Sequence, residues 1–378
     1  MKICSLECVA VRSVLLAAAV MLPWQASAQG WWSPQPTIVT FDAPAGVGTI
    51  ATGCTGQCGT FPTAIAIDGT IVGNTVNAQS ISHGFLRSPS CKVYSVDPPG
   101  STYTAVSDIS LVGAITGYFS TATQTYRGFL RDPWGHYAVI TVPGADKGTF
   151  PEYFSPVGHI AGHYSDDAGT HGFVVGLDGK IKTFSIASST LTLPQGINER
   201  GTVAGYYSDG TTDHGFIRTA SGQVTTFDPS GSAFTIVTGI SGLGTVTGYY
   251  FDGVSQYHGF VRDAKGNFTT FDPPNSALTI PESINFQGTI TGDFFDPNST
   301  TGDQGFIRGT DGKLTVFSVP STAPQNATST APAAVNVLGV VTGSYIDTSL
   351  QNHGFLRTTF PQHCGKGGNG NNDNDDWR

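Results

Sequence analysis

The chain has 378 residues, of which 12% are charged and 49 are glycine, and its formal net charge is −9. Ordinary globular domains carry about 25% charged residues, and no basic run exists here, so the electrostatic footprint of a nucleic-acid binder is missing. Few charges with abundant Thr, Tyr, Val, Phe and Gly describe an all-β protein with many tight turns.

In chain order, residues 1–28 read as a signal peptide. Lys2 and Arg12 precede or flank an apolar core at 14–22, and Ala26-Ser27-Ala28 is a small-x-small cleavage site. The apolar run is too short to span a bilayer and no later segment qualifies. A secreted or periplasmic protein without a membrane span is expected. Residues 29–36 form a short leader containing Trp31 and Trp32, and residues 365–378 a polar tail expected to be disordered. Cys54, Cys58, Cys91 and Cys364 remain after cleavage. In an exported chain an even set of cysteines predicts disulfides. Cys91 and Cys364 fall at matching places in the first and last repeats described next, so the expected pairs are Cys91–Cys364 and Cys54–Cys58.

Between residues 37 and 360 the phrase His-Gly-Phe-x-Arg, or a close variant, recurs seven times. Its glycines are Gly84, Gly128, Gly172, Gly215, Gly259, Gly305 and Gly354, spaced by 44, 44, 43, 44, 46 and 49 residues. They define repeats 1–7. A period in the low-to-mid forties is that of a four-stranded propeller blade. Repeat 4 predicts strands at 192–198, 202–207, 214–219 and 223–228, with a two-residue turn at Ser221-Gly222. If that turn pairs Ala220 with Gln223, Phe216 opposes Phe227, and the same register places Phe173 opposite Phe184, Phe260 opposite Phe271 and Phe306 opposite Phe317. Repeat 7 stops after its third strand, and residues 37–42 (TIVTFD) match a fourth strand. The expectation is a closed seven-bladed β-propeller whose last blade is completed by the N-terminal strand, hiding edges that invite aggregation.

The repeat unit (Gly-Ile-Asn-x-x-Gly-x-x-x-Gly-Tyr-Tyr, then His-Gly-Phe-x-Arg, then Thr-Thr-Phe-Asp-Pro) resembles bacterial secreted repeat proteins of the HAF type over nearly the whole of residues 37–359. The resemblance implies export and a propeller, and it transfers no catalytic residues. Arg127 and Gln304 depart from the pattern where His is expected.

Groups present in most copies serve the copy. The recurring His83, His171, His214, His258 and His353 are read as partners of a fourth-strand acid such as Asp228. The recurring arginines are read as stems on apolar surface with heads in water or on an acid. Positions that break the repeat carry more information. Six residues before the Gly of each first-strand turn stand Thr63, Ser107, Glu152, Gln195, Thr238, Glu282 and Ala333, expected to ring the channel. Glu152 and Glu282 fall nearly opposite and suit a cation or acid–base work. Tyr153, His159, His163, Trp134 and His136 are further departures near Glu152. The ligand-binding candidates are therefore Glu152, Tyr153, Gln195 and Glu282, and the catalytic candidates Glu152, Glu282, His159 and His163. Asp296, Asn298, Thr300 and Asp303 form an oxygen-rich loop with slight likeness to a calcium site, although the glycine such a loop needs is missing. No nucleotide, phosphate or metalloprotease fingerprint occurs, so no cofactor is expected. The preferred reading is a monomeric, non-catalytic binding platform for a glycan or an extracellular protein. The alternatives are a glycan lyase or hydrolase and a structural matrix protein.

Overall fold

The computed structural model describes residues 35–43, 58–122, 125–187, 189–322, 326–361 and 364. The expected signal segment, Trp31, Trp32, Cys54 and residues 365–378 lie outside them. The described chain is all β. In repeat 4 the strands run Leu191–Ile197, Val203–Ser208, Asp213–Arg218 and Val224–Phe227, each within a residue or two of its expected bounds. They form one antiparallel meander, and the other repeats copy it. The turns are built by side chains that satisfy the backbone locally. Asn198 Oδ1 accepts from the N–H groups of Arg200 and Thr202, and Asp209 Oδ1 from those of Thr211 and Thr212.

The hairpin between third and fourth strands differs from expectation by one residue. Thr219 N–H donates to the Gln223 carbonyl and Gly222 N–H to the Thr219 carbonyl, with Gly222 at φ 95°. The loop thus holds three residues, a turn followed by a glycine bulge, where a two-residue turn was expected. Phe227 therefore faces Gly215, and Phe216 faces Thr226. Phe184, Phe271 and Phe317 likewise face Gly172, Gly259 and Gly305. A one-residue slip moves a side chain to the other face of the sheet, so the two phenylalanines of a repeat point to opposite neighbours. The glycine of His-Gly-Phe is explained by the same register, because a Cβ on Gly215 would run into the Phe227 ring.

This geometry produces the contact between repeats. Phe227 lies edge-on to Phe260 of repeat 5, with the Arg262 guanidinium 4.8 Å from its centroid. Phe184 meets Phe216 and Arg218, Phe271 meets Phe306 and Arg308, and Phe317 meets Phe355 and Arg357 in the same way. The heads of these arginines thus stack on aromatic faces, a contact not expected from the sequence, and burial lowers their pKa values. Phe129, Phe173, Phe216, Phe260, Phe306 and Phe355 are fully buried.

The histidines do bond to acids. His214, His258 and His353 each place Nδ1 2.7 Å from Asp228, Asp272 and Asp42, respectively. Asp228 also accepts from Thr235 of the next repeat at 2.6 Å, so the clamp reaches across the junction.

The N-terminal strand Thr37–Phe41 pairs with Asn352–Thr358 and supplies the fourth strand of repeat 7. Its Phe41 lies edge-on to Phe85 of repeat 1 and beneath Arg87, the same contact that joins other repeats. A Cys91–Cys364 disulfide, Cα atoms 5.2 Å apart, links repeat 1 to the end of repeat 7. Cys58 is disulfide-bonded as well, while its expected partner Cys54 lies outside the described residues.

Candidate functional site

The first strand of every repeat carries one extra residue. The register skips between Pro62/Ala64, Val106/Asp108, Pro151/Tyr153, Pro194/Gly196, Val237/Gly239, Pro281/Ser283 and Pro332/Ala334. The skipped residues are Thr63, Ser107, Glu152, Gln195, Thr238, Glu282 and Ala333, the set singled out by counting. Proline before the bulge fits because it has no N–H to give the ladder. The partner of Pro151 is Gly162 on the second strand, where a Cβ would collide with the Phe150 carbonyl. The recurring second-strand glycine is therefore a requirement of the bulge.

Eleven residues after each bulge, immediately following that glycine, stand Asn74, Tyr118, His163, Tyr206, Tyr249, Asp293 and Ser344. Each bulge residue thus has a companion on the adjacent strand. In repeat 3 His163 Nδ1 lies 3.1 Å from Glu152 Oε2, and the imidazole stacks on Phe150 at 4.7 Å. Tyr153 donates its hydroxyl to Gln195 Oε1 at 2.7 Å, joining repeats 3 and 4. The Tyr153 hydroxyl is raised well above its ordinary pKa by burial and then by the negative fields of Glu152, Asp108 and Glu282. Repeats 2, 3 and 6 therefore act on one shared space.

Repeat 6 has a different pair at the same two positions. Burial raises Glu282 to about 7. Burial, then Glu282, then Asp303 raise Asp293 to about 8. Glu282 nonetheless keeps part of its surface in water, which limits the size of its shift but not its direction. In repeat 2 burial raises Asp108 to about 7 against two backbone donors, Phe154 N–H and Ile109 N–H, each at 2.7 Å. Three carboxyls that exchange protons near neutrality suit general acid–base chemistry.

Of the expected residues, the fold groups Glu152, Tyr153, His163, Gln195 and Glu282. It does not add His159, which sits in the first-to-second-strand turn with its N–H and Nδ1 on Ser155 Oγ. Trp134 and His136 belong to the third-to-fourth-strand turn of repeat 2, where His136 bonds Asp132 at 2.8 Å. The Asp296, Asn298, Thr300, Asp303 loop is a turn: Asp296 Oδ1 accepts from Asn298 N–H, as Asp209 does in repeat 4. Among the described residues no group of three or more His, Cys, Asp or Glu is placed to share a metal ion. Asp108, Asp293, Tyr118, Tyr206 and Tyr249 were missed, although for all but Asp108, which directly follows the bulge residue Ser107, the constant spacing of eleven from the bulge was available in the sequence.

Half-buried aromatic clusters flank this space. In repeat 2 Tyr118 touches Tyr103, Tyr126 and Phe150, with centroids 6.3, 5.6 and 4.9 Å away. The equivalent positions of repeat 5 hold Phe234, Tyr249 and Tyr257. Phe234 stacks on Phe251 at 5.9 Å and meets Tyr257 edge-on at 5.9 Å. Among the described residues no helix is long and apolar enough to cross a membrane.

A scan against protein-family models finds no match, and a search of the curated proteins finds none. Solved structures do match. A catalytically inactive virginiamycin B lyase from Staphylococcus aureus, solved with quinupristin, superposes with a TM-score of 0.55 at 14% identity, covering 86% of this chain and all of that one. A prolyl endopeptidase superposes with a TM-score of 0.53 at 10% identity over 86% of this chain and 50% of its own, so this chain spans half of that enzyme. A lectin from the fungus Aleuria aurantia, a six-bladed β-propeller, reaches only 0.40 at 13% identity over 69% of this chain and 95% of its own. That likeness is too loose to carry an argument. At these identities the first two similarities bear on fold alone, and the fold is that of a β-propeller.

Proposed function

We propose that this protein is an exported, closed seven-bladed β-propeller of the HAF-repeat kind, acting as a non-catalytic platform that binds glycans. Support for closure comes from the seam. The pairing of Thr37–Phe41 with the last strand, the Phe41–Arg87 stack and the Cys91–Cys364 bridge all tie the last repeat to the first. The disulfide also fits an oxidising compartment. The observation that carries the binding reading is the pair of half-buried aromatic clusters in repeats 2 and 5. They carry tyrosine hydroxyls, and Phe234 of the second borders Ser208, Thr211, Thr212 and Asp213. Sugars present C–H faces to aromatic rings and hydroxyls to such groups. A glycan array probed with the purified protein, with and without calcium, tests it. Retention of one or more glycans is expected, and an array with none retained overturns it.

A second reading, an extracellular enzyme such as a glycan lyase or hydrolase, is favoured by one observation: the Glu152–His163 pair, together with the raised carboxyls of Glu282 and Asp108. Glu152→Gln and Glu282→Gln discriminate between the two. Binding that survives both substitutions supports the platform. Turnover of an array ligand that either one abolishes supports the enzyme.

A further inference from the structure

An open cleft of about 370 Å³ lies where repeat 4 meets repeat 5, lined by Ser208, Gly210, Thr211, Thr212, Asp213 and Phe234. At three junctions the start of a third strand pairs with the start of the next first strand: Thr170↔Leu191, Tyr257↔Leu278 and Asn352↔Gly59. Asp213 and Phe234 occupy those two positions here, and no such pairing joins them among the described residues. The Thr212 hydroxyl crosses here, donating to the Ala233 carbonyl at 2.7 Å, as does the Thr235 hydroxyl, donating to Asp228. The combination of an acid and an aromatic at these two positions occurs at this junction alone. Asp303, the other acid, is followed by Ser329.

The hydrogen-bond inventory of the lining is one-sided. Thr211 and Thr212 have spent their hydroxyl protons on Asp209 Oδ1 and the Ala233 carbonyl, and Ser208 Oγ donates to the Thr212 carbonyl. What these side chains still offer is lone pairs. The Asp213 carboxylate adds two more acceptor oxygens, and among the described residues it takes part in no hydrogen bond or ion pair. Its charge is felt by the hydroxyls of Tyr206 and Tyr249, which places it at the edge of the shared space. An all-acceptor wall favours a ligand rich in O–H or N–H donors and repels a second carboxylate. Phe234, half buried against Phe251 and Tyr257, provides a fixed apolar surface. The volume is at the small end for ligand pockets and suits one or two sugar rings.

We propose that this cleft holds one neutral pyranose unit, its C–H face on Phe234 and adjacent hydroxyls donating to Asp213. The proposal rests on the glycan-platform reading and locates it. The test is calorimetric titration with methyl glycosides of glucose, galactose, mannose and fucose, and with glucuronic acid. It compares wild type, Asp213→Asn, Phe234→Ala, Phe234→Leu and the control Lys182→Ala. Thermal melts check that each variant is folded, and the leucine variant covers a failure of the alanine one. The expected result is one site per chain for at least one neutral glycoside, with affinity at least about tenfold weaker in Asp213→Asn and in the folded Phe234 variant. Lys182→Ala binds like wild type and glucuronic acid does not bind. Neutral-sugar binding that persists in both site variants overturns this site and leaves the platform reading intact. Glucuronic acid bound as tightly as the neutral sugars overturns it, as does an array-positive protein that binds none of the four glycosides. Absence of any glycan binding overturns both readings.

Discussion

Repeats 3 and 6 place different chemistry on identical backbone. Each has a proline-led bulge with glutamate as the extra residue, and each has a polar companion eleven residues on. In repeat 3 the companion is His163, which bonds Glu152 at 3.1 Å and stacks on Phe150. In repeat 6 it is Asp293, and two carboxyls share the position. The first arrangement compensates a partly buried acid with a donor. The second leaves Asp293 without a donor, and burial and then the negative field of Glu282 favour its protonated form. The bulge thus fixes where a functional group stands, and one companion residue decides whether that group is a paired anion or a proton store.

Exchanging the companions tests this directly. His163→Asp makes repeat 3 resemble repeat 6 and has the largest expected effect, a loss of about 2–3 kcal/mol at pH 8, since it removes a hydrogen bond to a charged group and adds a like charge. Chemical denaturation would measure it, and a loss below about 0.5 kcal/mol would mean that the Glu152–His163 contact is incidental. The converse, Asp293→His, should stabilise by about 1–2 kcal/mol at pH 8 by giving Glu282 a donor. A destabilised variant would show that repeat 6 lacks the geometry of repeat 3.

Asp293→Asn comes next. The folded carboxyl is raised to about 8 from an ordinary 3.8. The native state therefore holds a proton that the unfolded chain releases, and its contribution is complete below the ordinary value and lost as pH rises to about 8. Glu282 and Asp108 act with the same sign. His214 and His353 do too: burial alone would lower them, but their aspartate partners raise them. Wild type should melt at a higher temperature at pH 5 than at pH 8.5. Asp293→Asn should shrink that difference, with a gain on the order of 1 kcal/mol at pH 8 after allowing for water in the shared space. Parallel melting curves for wild type and variant would contradict this account. The smallest effect is expected for Glu152→Gln, about 0.5–1 kcal/mol, because the amide oxygen still accepts from His163. A larger loss would mean that the ionic character of the contact matters more than its hydrogen bond.

Much of this was legible without coordinates. The seven Gly-Phe pairs fixed the repeat, and Gly and Asx residues marked the turns, because those residues satisfy or relax the backbone locally. The unpaired last repeat pointed to residues 37–42 as its missing strand, and Cys91 with Cys364 to the seam. The seven bulge residues emerged from a count from the turn, since every copy uses the same local geometry.

What the sequence missed depends on neighbours distant along the chain. The single-residue hairpin error moved Phe227 to the wrong face and hid the Phe227–Phe260–Arg262 contact, which involves two repeats. The acids Asp108 and Asp293 look ordinary until the surrounding protein strips away solvent and, at Asp293, adds the field of Glu282. The cleft beside Asp213 and Phe234 lies where one repeat meets the next, and its residues lie twenty-one apart in the chain. The sequence by itself determined the unit, its copy number and its turns, because these follow from short-range backbone chemistry. Tertiary structure alone decided which faces meet, which acids keep their protons and where a junction opens, because burial and packing between repeats are set by surfaces that no single repeat contains.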